Sequence, residues 1–169
     1  MANERLYELA AEVGAALKAR GLALVTAESC TGGWIGEAVT AVPGSSAWFD
    51  RGFITYTNAA KREMLGVTDD ILDNFGAVSR ETVKAMVAGA LANSHAQVAV
   101  AVSGVAGPSG GSPDKPVGTV CIGWGLGTGE PMAEMRHFEG DRETVRRKSV
   151  IRALAGLLAL IEQNIVPKS

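Results

Sequence analysis

The chain has 169 residues, of which 47% are hydrophobic, and 18 acidic against 16 basic side chains give a net charge of −2. This length fits one domain over 1–169 with a substantial core, and the charge balance argues against a nucleic-acid-binding protein. Two cysteines without Cys/His spacing indicate neither a disulfide framework nor a zinc site. Reduced thiols, no N-terminal signal core and no membrane-length apolar run favour a cytoplasmic protein.

The first half of the chain alternates between helical periodicity and short runs of strand-forming residues. Gly, Asn, Ser and Thr stand at the boundaries, where they end or cap such elements. In chain order we expect a helix from Asn3 to Arg20 ended by Gly21, a strand over 22–26, a helix up to Val42, a strand over 48–57, a helix over 59–65 capped by Asn58, and a short helix from Thr68 to Gly76.

The second half continues the alternation and adds consecutive strands at its end. We expect a helix capped by Ser79, a buried strand over 98–102, a Gly- and Pro-rich loop over 103–113, strands over 117–124 and 132–138, and a long helix capped by Asp141. Strands that alternate with helices predict a three-layer α/β/α domain. The consecutive strands after residue 117 predict a mixed, mostly parallel central sheet.

The segment 26–33, with the sequence TAESCTGG, is the predicted working centre of the chain. It lies between an apolar strand and a helix, so it forms a turn at the carboxyl edge of the sheet, where ligands collect. Gly32 and Gly33 permit positive φ angles and close approach of a ligand. Ser29 and Thr31 have two readings here, as helix caps or, for Ser29, as a nucleophile.

Lys61 is the second candidate. If Asn58 is the N-cap, Lys61 lies at the third helical position, near the positive end of the helix dipole. That field disfavours the ammonium form and lowers the lysine pKa, which a general base requires. The dipole effect is too small to be the whole cause, so burial beside the ligand or a nearby arginine such as Arg142 must supply the rest. The alternative is an ordinary solvated lysine.

Two further segments are suited to bind a charged ligand. The loop from Ser103 to Lys115 follows a buried strand and presents backbone N–H groups for an oxyanion or a phosphate, or it is a long surface hairpin. Arg142 and Arg146 share one face at the start of the last helix and are suited to hold a phosphate or carboxylate. A solvated face with a Glu143–Arg147 pair is the competing interpretation.

Together these segments resemble the CinA C-terminal domain family, whose best-defined activity is deamidation of nicotinamide mononucleotide. The resemblance covers nearly the whole chain in order, with Ser103 where the pattern usually has Thr. The segments that carry it are 27–33, 52–56 with Asn58 and Lys61, 103–108, 110–111, 115–120 and 140–142.

The resemblance implies a metal-free and cofactor-free serine–lysine amidohydrolase of pyridine nucleotide salvage, commonly a homodimer, acting on a small-molecule substrate. The chain starts directly at the first helix, which is expected of the stand-alone form. Ser29 would attack the amide, Lys61 would act as base, and Tyr56 would orient Lys61 or relay a proton. The predicted substrate-binding residues are Glu28, Cys30, Thr31, Gly32, Gly33, Asn58, Ser103, Gly104, Arg142 and Arg146.

Two other hypotheses stay open at this level. Cys30 can replace Ser29 as the nucleophile, although neither His95 nor His137 belongs to a recognisable Cys/His pattern. The domain can also be a non-catalytic nucleotide-sensing or protein-interaction module, in which the Gly-rich loops bind a ligand without chemistry.

Overall fold

The computed structural model describes residues 2–127, 129–165 and 167. Its helices are α1 (Glu4–Arg20), α2 (Trp34–Thr40), α3 (Asn58–Leu65), α4 (Asp69–Phe75), α5 (Arg80–Ala92) and α6 (Arg142–Asn164). Its strands are β1 (Leu24–Glu28), β2 (Phe49–Ile54), β3 (Val98–Gly104), β4 (Thr119–Leu126) and β5 (Met132–His137). Within these residues, no helix combines the length and the hydropathy that crossing a lipid bilayer requires.

The five strands form one mixed sheet in the order β2-β1-β3-β4-β5. β1 pairs in parallel with both β2 and β3, whereas β4 is antiparallel to β3 and to β5. Four strands therefore run in one direction and only β4 is reversed, which confirms the prediction of a mixed, mostly parallel sheet.

Two hydrophobic cores lie on opposite faces of this sheet, as the alternation along β3 shows. Val98, Val100 and Val102 pack into a core with α1, α2 and α6, whereas Ala99 and Ala101 face α5 and the end of α3. Because side chains alternate along a strand, each central strand must be apolar on both faces. The three-layer α/β/α architecture is confirmed.

Several predicted boundaries shift by a few residues. The first strand covers Leu24–Glu28 rather than 22–26, because its pairing with both neighbouring strands continues to Glu28. The following helix begins at Trp34 and ends at Thr40, two residues before Val42. Asp141 and Ser79 cap α6 and α5 as predicted.

The prediction that Asn58 caps α3 is wrong, because the N-cap is Thr57. The Thr57 hydroxyl oxygen accepts a hydrogen bond from the backbone N–H of Ala60, and Asn58 is the first helical residue. α3 then packs closely against α5, where a Cβ atom at Gly89 would overlap the carbonyl oxygen of Leu65. This close approach fixes the position of the helix that carries Lys61.

Candidate active site

A cleft of about 150 Å³ opens at the carboxyl edge of the sheet, where the parallel strands β1, β2 and β3 all end. Ser29 follows β1 directly, Tyr56 follows β2 by two residues, and Ser103 and Gly104 end β3. Parallel strands bring these distant segments together, as expected for a ligand site of an α/β fold. The lining residues are Ser29, Cys30, Tyr56, Lys61, Ala77, Val78, Ser103, Gly104, Ala106 and Arg142.

The side chains of Ser29 and Lys61 meet at the bottom of this cleft. The Lys61 Nζ atom lies 3.0 Å from the Ser29 Oγ atom, and the two residues are only 1% and 6% exposed. With Thr57 as the N-cap, Lys61 is the fourth helical residue and not the third, which corrects the sequence prediction. Helical side chains lean toward the N-terminus, so Lys61 reaches back to the segment before α3.

Three acceptors surround the Lys61 amine. Besides Ser29 Oγ, Nζ lies 2.8 Å from the Thr55 carbonyl oxygen and 3.2 Å from that of Tyr56. As an ammonium, Lys61 donates to all three acceptors, and the Ser29 hydroxyl donates to the Tyr56 carbonyl at 3.3 Å. A neutral amine has only two N–H groups, so with both carbonyls still bound its lone pair would be left for the Ser29 proton.

Burial lowers the pKa of Lys61 from 10.5 to about 8, because withdrawal from water disfavours the ammonium form. Desolvation is the leading cause, in agreement with the expectation that burial must add to the weak effect of the helix dipole. The nearby Cys30 opposes it, since a thiolate there would raise the lysine pKa. An amine with a pKa of about 8 is a competent general base near neutral pH.

Cys30 lines the cleft as a neutral thiol. Burial raises its pKa to about 12, and this effect exceeds the opposing influence of Arg146. Reactive cysteines need a depressed pKa, because the thiolate is the nucleophile. The raised pKa of Cys30, together with the contact of Lys61 with Ser29 Oγ, favours the Ser29 hydroxyl over the Cys30 thiol as the attacking group.

The turn after β1 is held by the buried carboxylate of Glu28. Its oxygens accept hydrogen bonds from Thr31 Oγ1 at 2.6 Å and from the backbone N–H groups of Ile35 and Gly36 at 2.8 and 3.0 Å. The interpretation of Ser29 and Thr31 as helix caps is wrong. The N-cap of α2 is Gly33, with a φ of 105° and no side-chain hydrogen bond to the helix. The Glu28 carboxylate, at the end of β1, accepts hydrogen bonds from the first turn of α2 instead.

Arg142 and Tyr56 form the exposed rim of the cleft. One guanidinium nitrogen of Arg142 donates to the Gly107 carbonyl at 2.9 Å, and another donates to the Tyr56 hydroxyl at 3.2 Å. The Tyr56 side chain is 59% exposed, and it is its backbone carbonyl that contacts Lys61 and Ser29. The Arg142 guanidinium thus links α6 to the Gly-rich loop and to the segment after β2.

This geometry agrees with what comparison with known proteins finds. The model of the CinA C-terminal domain matches residues 6–161. The chain belongs to the CinA C-terminal domain family. The match spans the stretches that carried the resemblance in the sequence, and four of them contribute residues to the cleft around Ser29 and Lys61.

Relatives cover nearly the full length of this family member. A protein named nicotinamide-nucleotide amidohydrolase PncC from Enterobacter agglomerans is 53% identical over 97% of this chain and all of its own length. One of the same name from Escherichia coli K12 is 48% identical over 97% of this chain and 99% of its own. The crystal structure of competence/damage inducible protein CihA from Agrobacterium tumefaciens superposes with a TM-score of 0.89 at 48% identity, covering 92% and 95% of the two chains.

The structure brings only some of the predicted site residues to the cleft. Those that line it are Ser29, Cys30, Tyr56, Lys61, Ser103, Gly104 and Arg142. Those outside its lining are Glu28, Thr31, Gly32, Gly33, Asn58 and Arg146. Among the described residues, no group of three His, Cys, Asp or Glu side chains is placed to hold a metal ion.

Three lining residues were not among the predicted site residues, namely Ala77, Val78 and Ala106, although Ala106 lies in the Gly-rich loop that was predicted to bind a ligand. Their small apolar side chains carry no chemical signal. The first two lie in the connection between α4 and α5, and only the close packing of α5 beneath the sheet brings that connection to the cleft. In the sequence, Gly76 and the predicted helix cap Ser79 marked only that a connection lies there.

Proposed function

We propose that this protein hydrolyses the carboxamide of nicotinamide mononucleotide, giving nicotinic acid mononucleotide and ammonia, in pyridine nucleotide salvage. Relatives that match over essentially their whole length carry the name of this activity. The observation that carries the proposal is the buried Ser29–Lys61 pair, with 3.0 Å between Oγ and Nζ at the bottom of the cleft. We place the reaction in the cytoplasm, and we expect a homodimer.

The first half-reaction uses Ser29 as nucleophile and Lys61 as base. The neutral Lys61 amine takes the proton of the Ser29 hydroxyl while Oγ attacks the amide carbon. The tetrahedral intermediate collapses when the C–N bond breaks, and the Lys61 ammonium gives its proton to the departing nitrogen. Ammonia leaves, and an ester bond joins Ser29 Oγ to the carbonyl carbon of the former carboxamide.

The second half-reaction reverses these roles for water. Lys61, neutral again, takes a proton from a water molecule that attacks the ester, and returns it to Ser29 Oγ as the ester bond breaks. The product carboxylic acid loses its proton to solvent. The carbonyls of Thr55 and Tyr56 keep the amine aimed at Oγ throughout both steps.

Backbone N–H groups near Ser29 are suited to stabilise the oxyanion. The N–H of Ser29 itself donates to the Val102 carbonyl and that of Gly32 to the Ser29 carbonyl. Cys30, the next residue after the nucleophile, lines the cleft, and its N–H is the donor we assign to the oxyanion. Ser103 and Gly104 face it across the cleft.

We assign the substrate phosphate to Arg142. Its guanidinium lies at the cleft rim, held by Gly107 and Tyr56, and an arginine has five N–H donors, so others remain for an anion. The exposed ring of Tyr56 beside it offers a face for the pyridine or the ribose.

The test is to incubate purified protein with nicotinamide mononucleotide and to quantify both ammonia and nicotinic acid mononucleotide. Equal amounts of the two products from the wild type, and none from Ser29→Ala, support the proposal. A wild type that binds the mononucleotide in calorimetry but releases no ammonia would support the non-catalytic module instead.

A further inference from the structure

We propose that Arg146 is a positioning residue for the nucleophile, holding the backbone of the Ser29 turn rather than the substrate; this deepens, and rests on, the proposed function. Its Nε atom donates to the Cys30 carbonyl at 3.0 Å, and its Nη2 atom donates to the Thr31 carbonyl at 3.1 Å. These are the first two carbonyls after Ser29. The planar guanidinium therefore donates hydrogen bonds to two consecutive peptide units of the turn.

Those two bonds fix the direction of the neighbouring N–H groups. In a trans peptide the C=O and the following N–H point in opposite directions. With the Thr31 carbonyl turned toward Arg146, the Gly32 N–H points away from it, and it donates to the Ser29 carbonyl at 3.0 Å. A side chain on α6 thus sets the orientation of the turn that presents the Ser29 hydroxyl.

Glu28 also holds this turn, so a carboxylate and a guanidinium both bind it. Glu28 binds the Thr31 hydroxyl and two N–H groups of α2, whereas Arg146 binds only carbonyls. Arg146 also lies over the Trp34 ring, 5.5 Å from its centroid. This stacking restricts the guanidinium in the geometry that reaches both carbonyls.

Arg146 does not line the cleft, which distinguishes it from Arg142 one turn earlier. Its Nε and Nη2 atoms point to the backbone of the turn and not into the cleft, so the guanidinium is not placed to bind the substrate. Its removal should therefore act on the position of the nucleophile and not on substrate affinity. Because a displacement of about 1 Å can cost roughly 100-fold in rate, the expected loss is in kcat.

The experiment compares Arg146→Ala and Arg146→Lys with Arg147→Ala. Arg147 is the adjacent arginine of α6; it binds Asn3 Oδ1 at 2.9 Å and pairs with Glu143 at 3.3 Å, away from the turn. We expect kcat for nicotinamide mononucleotide to fall about 100-fold in Arg146→Ala, with KM changed less than about threefold. Arg146→Lys keeps the positive charge near Trp34 but loses the guanidinium that donates to two carbonyls at once, so its kcat should fall about tenfold.

Two further readouts separate positioning from other roles. Nicotinamide riboside, which lacks the phosphate, should lose the same factor in kcat as the mononucleotide. Hydrogen exchange of the amides over 29–36 should accelerate about tenfold or more in both Arg146 variants and stay at the wild-type rate in Arg147→Ala.

Unchanged exchange over 29–36 in Arg146→Lys overturns the inference, as does a rise in KM confined to the mononucleotide. If Arg146→Ala fails to fold, kcat and hydrogen exchange over 29–36 in Arg146→Lys alone test the inference. A wild type without deamidase activity would refute the proposed function, whereas the exchange measurement would still decide whether Arg146 orders the turn.

Discussion

Lys61 has two backbone carbonyls and one hydroxyl around an amine that is 1% exposed. Burial costs the ammonium more than the amine, so the pKa falls to about 8. Below that value each pH unit leaves roughly a tenth as much neutral amine, since one pKa unit corresponds to a factor of ten. The catalytic role of Lys61 is thus testable by pH.

We predict that kcat/KM for nicotinamide mononucleotide rises about tenfold per pH unit up to about pH 8 and then levels off. Lys61→Arg should be nearly as inactive as Lys61→Ala, because arginine keeps a charge but does not release its proton. Steady-state assays across the pH range check both. Substantial activity in Lys61→Arg would make Lys61 an electrostatic anchor and require a different base.

Ser29 and Cys30 are neighbours with different expected roles. Ser29→Ala should lower kcat by at least about 10³-fold while mononucleotide binding persists, because it removes the nucleophile. Cys30→Ser should stay within about tenfold of wild type, because Cys30 contributes a neutral side chain to the wall. Kinetics of the two variants measured side by side check this. An active Ser29→Ala with an inactive Cys30→Ser would transfer the role to the thiol.

The sequence was sufficient to single out Ser29 and Lys61 as candidates, and the structure places their side chains in contact. The weakness of the helix dipole also indicated that burial or a nearby arginine must lower the pKa of Lys61, but not that the carbonyls of 55–56 would surround its amine. Those acceptors are backbone atoms, which any residue type supplies, so no sequence pattern marks them. The role of Glu28 was hidden for a related reason, since its partners lie seven and eight residues ahead on α2.

At the scale of elements, the helices and strands were predictable because their apolar periodicity and boundary residues agree. Gly21 and Gly66 end α1 and α3 in the left-handed conformation, as expected. The exact start of β1 was not predictable, since it depends on pairing with two strands that are distant in sequence. The structure was also needed to show that Arg142 lines the cleft and Arg146 does not, because both lie near the start of α6.

Arg142 lies on the first turn of α6 and connects that helix to the Gly-rich loop at Gly107. We predict that Arg142→Ala raises KM for the mononucleotide about 10- to 100-fold with kcat little changed, because a charged hydrogen bond to the phosphate is lost. The matched substrate is nicotinamide riboside, whose KM should change little. A parallel loss on both substrates would show that Arg142 supports the loop or the reacting centre instead of the phosphate.

Burial of Lys61 lowers the stability of the whole molecule. The unfolded chain holds the Lys61 proton up to about pH 10.5, whereas the folded chain releases it at about 8. Lys61 therefore destabilises the fold fully below pH 8, and this penalty shrinks as the pH rises from about 8 to 10.5. The sign is that of a lysine with a depressed folded-state pKa.

We predict that the unfolding free energy of the wild type gains about 2 kcal/mol on that of Lys61→Met between about pH 7.5 and 9.5. Urea denaturation at the two pH values measures it. Cys30 and Cys121, whose pKa values burial raises to about 12 and 11, lower stability at alkaline pH in both proteins, so the difference isolates Lys61. A difference that does not change with pH would mean that Lys61 is protonated in the fold.

The reversed direction of β4 has a consequence for how the protein can change over generations. Because β4 runs back from the edge where β3 ends, residues 105–118 leave and re-enter the sheet beside the cleft. Both ends are fixed, by the pairing of Gly104 with Val120 and by the bond from the Val105 N–H to the Thr119 carbonyl. Insertions or deletions between these anchors would change the wall of the cleft, to which Ala106 belongs, without moving the register of β3 on β4, so this loop can vary in evolution while the sheet stays the same.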